Sequence, residues 1–367
     1  MSDVTGLQER FVRLCETPSP TGEERAVADM VAADLRELGF EVTEDGTAEA
    51  ARAGAGNLLA RLPGPGEKWL MLCAHLDTVP HDSAIEVEFR DGVYRSRGET
   101  ILGADNKAAV AVLLELAARQ AAGPPAVGIE LLFTMAEEDG LRGAKEYDVG
   151  ELHSPFGFVF DHATPIGELI TSAPTYNRLR ADFEGAEAHA GVRPEDGASA
   201  IAAAAAAIAA MELGRLDAET TSNVGVIEGG SASNVVAGHC RIEGEARSID
   251  VDRAAEVAGK MVDACGWAAS ENGCDVDVRV EELFRGYRAA PDSEAVALGR
   301  RALERCGHEV REVATGGGSD ANALIANGFE AVLLANGTEA NHTPQESVSA
   351  RNLDAMLDVA EALVELC

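Results

Sequence analysis

The stretch that most limits the folds open to this chain runs from Trp69 to Pro80, where the apolar residues Trp69 to Ala74 lead into His75, Leu76, Asp77, Thr78, Val79 and Pro80. An apolar run of that length, with Gly and Pro before it and Pro after it, predicts a central strand of a parallel α/β sheet, buried on both faces. Sheets of this kind bind ligands in the crevice beyond the carboxyl ends of their strands, which is where His75 and Asp77 fall. Two residues apart on an extended chain, they share a face. The Asp77 carboxylate is thus placed to accept one imidazole N–H and leave the other nitrogen for a metal. Taken alone, His-x-Asp is a short motif, and His75 also reads as an ordinary polar residue closing a strand.

The pattern recurs. Ile129 to Thr134 is a second apolar run and leads into Glu137, Glu138 and Asp139; Phe156 to Phe160 is a third and ends in Asp161 and His162. A run of acids is ordinarily a solvated loop, but each of these sits at a strand's carboxyl end. Between them, Leu102 to Lys107 opens an Ala/Val/Leu-rich helix to Arg119, with Asp105 at its start, where Asp also serves as a helix cap. Helical spacing covers residues 3–17 and 22–39. Strand patterns cover Phe40 to Thr43 and Asn57 to Arg61, and Val87 to Arg97 alternates about Asp91-Gly92 as a hairpin expected to decorate the site.

From about Tyr176 the texture changes. Strand patterns at Arg178 to Phe183, Asn223 to Ile227, Val235 to Ile249 and Val276 to Leu283 alternate with helical ones at Ala198 to Met211 and Arg253 to Ser270. The order β-α-β-β-α-β suggests an inserted ferredoxin-like (split βαβ) domain over 176–285. A helix over Ser293 to Cys306, a Gly316 to Asp320 turn into a helix, a strand over Ala331 to Ala335 and a helix over Asn352 to Leu366 resume the α/β rhythm, with His342 in a polar loop. Residues 1–175 and 286–367 are therefore expected to form one mixed-sheet α/β domain with helices on both faces.

Charge excludes some functions. The formal net charge of -33 repels phosphate backbones and anionic lipids, and no basic patch offsets it, so neither nucleic acid nor membrane is expected as a partner. Seven scattered cysteines without a C-x-x-C pair fit a reducing cytoplasm. The acidic N-terminal residues do not read as a signal peptide, and the small-apolar run Ile201 to Met211 is too short to span a bilayer.

His75, Asp77, Asp105, Glu137, Glu138, Asp161 and His342 thus gather at strand ends. Five carboxylates in one crevice repel unless cations neutralise them, and imidazole with carboxylate but no thiolate suits zinc, cobalt or manganese. Two divalent ions would satisfy the set.

The strings HLDTVP, LGADNKAAVA, FTMAEEDGLRGAKEYD, FDH, GAEAHAGVRPEDGASAI, GGSASNVVAG, EARSID, GGGSDAN and HTPQESV, in that order over nearly the whole chain, resemble the peptidase T-like branch of the di-zinc aminoacylase and carboxypeptidase superfamily. The resemblance implies that His75, Asp105 and Asp161 hold one metal and Asp105, Glu138 and His342 the other. It further implies that Asp77 supports His75 and that Glu137 is the general base of amide hydrolysis. It assigns His189 of the inserted lid to the oxyanion and Asn234 and Arg247 to a substrate carboxylate. Gly316 to Gly318, lacking the lysine of a phosphate loop, read as a tight wall of the substrate cleft. Without the resemblance, His189 reads as a turn residue and Arg247 as a surface charge. Asn106 departs from the pattern, which commonly has a second acid there. The implied substrate is a short peptide cleaved by an aminopeptidase resembling a tripeptidase. An N-acyl or N-carbamoyl amino acid, or a non-catalytic peptide-binding role, are the alternatives. In some relatives the histidine reaches a neighbouring subunit, so a homodimer through the lid is an arrangement the resemblance allows.

Overall fold

The computed structural model describes residues 6–123, 125–163 and 165–367, and they divide into two units. The first comprises the chain up to Ser172 together with Ala289–Thr315 and Ser319–Cys367; the second comprises Ala173–Arg288 and Gly316–Gly318.

The first unit is built on a sheet whose early strands are β1 (Glu41–Glu44), β2 (Leu58–Leu62), β3 (Trp69–His75), β6 (Gly128–Thr134), β7 (Phe156–His162) and β8 (Glu168–Ala173). The order across it is β1-β2-β6-β3-β7, then the Glu330–Ala335 strand, then β8, with Arg311–Ala314 also pairing to β8. β3 is parallel to both β6 and β7, and Glu330–Ala335 is parallel to β7. Four strands therefore end at one edge. The apolar runs read from the sequence are these strands, and all seven residues of β6 are buried. The hairpin is β4 (Val87–Arg90) and β5 (Val93–Ser96); it pairs with Ser347–Ser349, just beyond the His342 loop.

The Ala104–Ala121 helix is apolar on nearly every side, which demands burial. It packs on β3 and is covered by the Gly6–Cys15 and Ala350–Leu366 helices. A separate group, Ala48–Ala51, Arg142–Glu146 and Asp320–Ala326, packs together, with the last against β7 and Glu330–Ala335.

The second unit carries β9 (Thr175–Glu184), β10 (Gly214–Arg215), β11 (Thr220–Gly229), β12 (His239–Ser248) and β13 (Asp275–Phe284) in the order β10-β11-β12-β9-β13, with antiparallel neighbours. The Ala200–Ala210 and Val251–Glu271 helices pack on each other and on the sheet around Leu179, Ala181, Phe183, Cys240 and Ile242. This has the β-α-β-β-α-β order of the sequence pattern, with a short extra strand. β12 begins at His239 rather than Val235, because Val235 and Val236 instead bond to Ala232 and Ala188 across a loop.

Candidate metal centre and active site

Register brings the site together. Cys73 pairs with Val159, so His75 and Asp161, each two residues on, reach the same level of the parallel β3–β7 pair. His75 itself pairs with Thr134, and the chain beyond Thr134 turns through Ala136, at a φ of 51°, into Glu137 and Glu138. Asp105 arrives from the start of the Ala104–Ala121 helix. It does not cap the helix: its Oδ2 accepts from the Asn341 amide and its Oδ1 has no aligned donor, while its φ of -81° and ψ of 105° are not helical and the peptide to Asn106 is cis. His342 comes from the loop after Glu330–Ala335 at a φ of 64°.

Asp77 does more than the strand spacing predicts. The His75 Nδ1 lies 3.1 Å from the Asp77 carbonyl oxygen and 3.3 Å from its Oδ1. The same fully buried carboxylate accepts the backbone N–H of Glu137 at 3.0 Å and of Glu138 at 3.2 Å, and the Thr21 hydroxyl at 2.8 Å. One residue thus sets the tautomer of a histidine and the height of the acid pair.

With its Nδ1 engaged, His75 turns Nε2 toward Asp105 Oδ1 and Asp161 Oδ1, each 3.4 Å away. On the other side of Asp105, the His342 Nε2 stands 3.2 Å from Oδ2 and 2.9 Å from Glu138 Oε1. Ligand atoms of His75, Asp105 and Glu138 lie within 4.8 Å of one another, as do those of His75, Glu137 and Asp161. Asp105 Oδ1 and Glu138 Oε1 are buried with no aligned hydrogen-bond donor. Lone pairs facing lone pairs in a buried pocket are reconciled by cations, and this donor set fits divalent ones.

The electrostatics agree. Burial, then the charge of Asp161, pushes the Glu137 carboxyl well above its usual range, and burial does the same to Asp161 despite His75. His342 is raised to about 10 by its bonds to Asp105 and Glu138. The crevice is short of positive charge.

Two residues of the site escaped the sequence reading. Asp320, the first residue of its short helix, is buried with its Oδ2 accepting the Thr134 hydroxyl, and burial raises its pKa to about 6. Its GGGSDAN string was a visible signal. Glu346 is buried beside Asp105, and burial pushes it to about 7.

In the second unit, His189 and Asn234 are exposed neighbours: His189 bridges to Val235, and Ala190 N–H donates to the Asn234 carbonyl at 2.9 Å. Arg247 lies over the Tyr176 ring, 4.1 Å from its centroid, donates to Glu245 at 2.9 Å and 3.1 Å, and reaches the Gly316 carbonyl at 3.0 Å. A Cβ on Gly318 would come within 2.3 Å of the Phe284 ring, so any side chain there would have to displace that ring.

All seven cysteines are free, and no helix among the described residues is long and apolar enough to cross a membrane.

Known proteins align with this arrangement over nearly its whole length. The aminopeptidase PepT of Bacillus cereus is 36% identical with a TM-score of 0.89, covering 98% of this chain and 97% of that one. A tripeptidase from Staphylococcus aureus is 33% identical with a TM-score of 0.94, at the same coverage. The uncharacterised protein YqjE of Bacillus subtilis is 34% identical over 98% of this chain and 97% of its own length. The family model for peptidase family M20/M25/M40 matches residues 71–366, which takes in every strand end of the crevice, and the chain belongs to that family.

Proposed function

We propose that this protein is a co-catalytic metallo-aminopeptidase that hydrolyses the amide bond of short peptides, tripeptides foremost. One observation carries the reading: His75 Nε2 converges with the carboxylates of Asp105, Asp161 and Glu138, and two of their oxygens, Asp105 Oδ1 and Glu138 Oε1, are buried without an aligned donor. The aminopeptidase and tripeptidase named above support the substrate class.

His75, Asp105 and Asp161 would hold one divalent ion, and Asp105, Glu138 and His342 the other. Zinc suits this set best, with cobalt or manganese as alternatives. When bound, such ions supply the positive charge that polarises a carbonyl and acidifies a water. Glu137 then acts as general base. It takes a proton from the attacking water and returns it to the amine nitrogen as the C–N bond breaks. Asp77 keeps that carboxylate in place through the Glu137 N–H. From the second unit, His189 would donate to the oxyanion, Asn234 and Arg247 would hold the peptide carboxylate, and Gly318 would form part of the cleft wall. Arg247 must exchange some of its bonding to Glu245 to do so. A reducing cytoplasm is the compartment this reading proposes, supported by the scattered free thiols.

The test is a panel of tripeptides, dipeptides, and N-acetyl and N-carbamoyl amino acids, with protein reconstituted in zinc, cobalt or manganese. Tripeptides with a free amino terminus are expected to turn over fastest. A preference for N-acyl or N-carbamoyl amino acids would overturn the aminopeptidase assignment, and no turnover of any member would overturn the enzyme.

A further inference from the structure

The turn that carries Asp105 cannot satisfy its own backbone. Gly103 stands at a φ of 72°, and neither Asp105 nor Asn106 has helical angles, so the N–H groups of this segment have no helical partners. The Glu346 carboxylate takes three of them: Oε2 accepts from Leu102 at 2.8 Å and Gly103 at 2.7 Å, and Oε1 accepts from Asp105 at 2.8 Å. Its side chain is 1% exposed.

Glu346 belongs to the loop that presents His342. The same loop sends Asn341 Nδ2 to Asp105 Oδ2 at 2.8 Å and His342 Nε2 to within 3.2 Å of that oxygen, and it closes on itself through Glu346 N–H to the Thr343 carbonyl at 3.0 Å. Beyond Glu346 the chain is fixed at once, because Ser347 and Val348 pair with Arg95 and Tyr94 of β5. The loop is therefore pinned on one side by the sheet and on the other by Asp105.

We propose that Glu346 is a positioning residue: it locks the Asp105 turn to the His342 loop so that the two side chains face one cation at a fixed separation. The proposal rests on the metal reading given under the proposed function. Asp105 comes from one end of a helix and His342 from a loop more than 200 residues later. Neither is set by the sheet in the way that His75 and Asp161 are, so their spacing needs a separate device. A carboxylate is the group for it, since it accepts from several N–H donors at once and charge-assisted bonds of this kind are the stronger ones. Glu346 touches no reacting atom and acts through Asp105 and His342.

Glu346→Gln keeps the shape but points an NH₂ group at one of the N–H donors, and Glu346→Asp keeps the charge but withdraws it by one methylene. In zinc titrations against a chelator, both are expected to weaken the ion shared by Glu138 and His342 by about 10 to 100-fold, the range for groups that orient metal ligands, with a smaller effect on the ion at His75 and Asp161. In metal-free protein, amide hydrogen exchange at Leu102, Gly103 and Asp105 should rise roughly tenfold or more while β3 and β6 stay protected. With metal saturating, kcat should fall and KM for a tripeptide should stay near wild type. Wild-type zinc affinity and unchanged exchange in both variants would overturn the proposal. So would equal loss of both ions with faster exchange throughout the sheet, the mark of a general core anchor. Wild-type protein that binds no divalent ion would bring down the metal reading itself, recognisable because the three amides would still be protected in that protein.

Discussion

Glu137 and Glu138 are adjacent acids given different tasks by their backbone. Both N–H groups are held by Asp77, and the side chains leave that grip in different directions: Glu138 reaches His342 at 2.9 Å, while Glu137 falls within ligand distance of His75 and Asp161. Glu137→Gln is expected to keep two ions per chain by elemental analysis while turnover falls about 10² to 10⁴-fold, the range for a general base. Loss of metal as the main effect would move the base elsewhere. His189 and Arg247, both proposed to meet the substrate, separate by kinetics. His189→Ala should lower kcat about 10² to 10³-fold, as expected when an oxyanion donor is lost, whereas Arg247→Ala should mainly raise KM, as expected for a uniform anchor. Steady-state kinetics on a tripeptide checks both. The acids and histidines of the crevice other than Asp320 were legible in the sequence because ligand chemistry shows in residue type. Glu346 and the second task of Asp77 were not, since their partners are backbone N–H groups that every residue carries.

Among the elements, the strands that build the crevice were the easiest to read, because burial on both faces writes an unbroken apolar run. Glu168–Ala173 and Arg311–Ala314 lie toward the margin of the same sheet and mix charged with apolar residues, so they left no such trace. The turn before the Ala104–Ala121 helix was read as a helix start. Its departure from helical angles depends on contacts made at long range, among them Asn106, whose amide donates to the Phe160 carbonyl at 2.8 Å and accepts from Asn336 at 3.3 Å. An ionised carboxylate there could not donate. Asn106→Asp should therefore cost about 1–3 kcal/mol, the penalty for leaving a buried acceptor unpaired, measurable by urea unfolding of the metal-free protein. On the open face of the second unit's sheet, Asp182 accepts from Arg180 at 2.9 Å and Arg241 at 2.8 Å, and these bonds hold its pKa down to about 2. A carboxyl depressed in the folded state stabilises above its unfolded pKa of about 3.9 and loses that contribution as pH falls toward 2. Asp182→Asn should thus lower stability at neutral pH by about 0.2–1 kcal/mol, the range for a partly exposed pair, and flatten acid unfolding between pH 4 and 2.

Across the molecule, the acid-rich crevice predicts that metal binding and folding are coupled through charge. The chain carries a formal net charge of -33, and its crevice concentrates acids whose pKa values are pushed up by burial and by one another. Chelation should therefore abolish activity and lower the thermal midpoint. Excess zinc should restore both, adding about 4 kcal/mol for each site at a free concentration a thousandfold above its dissociation constant. Calorimetry with and without chelator checks this, and an unchanged midpoint would separate the cluster from folding. The order of the chain also sets a schedule. The Glu330–Ala335 strand lies between β7 and β8, and it is made only after the entire second unit. Glu138 must wait for His342, and at about 5–20 residues per second that delay is on the order of 10 to 40 s on the ribosome. Throughout that interval the nascent chain holds a half-made cluster of acids beside a sheet with a gap in it. Such a chain needs its inserted unit to fold by itself and stay out of the vacant strand position, and its Glu138 meets His342 only as synthesis ends.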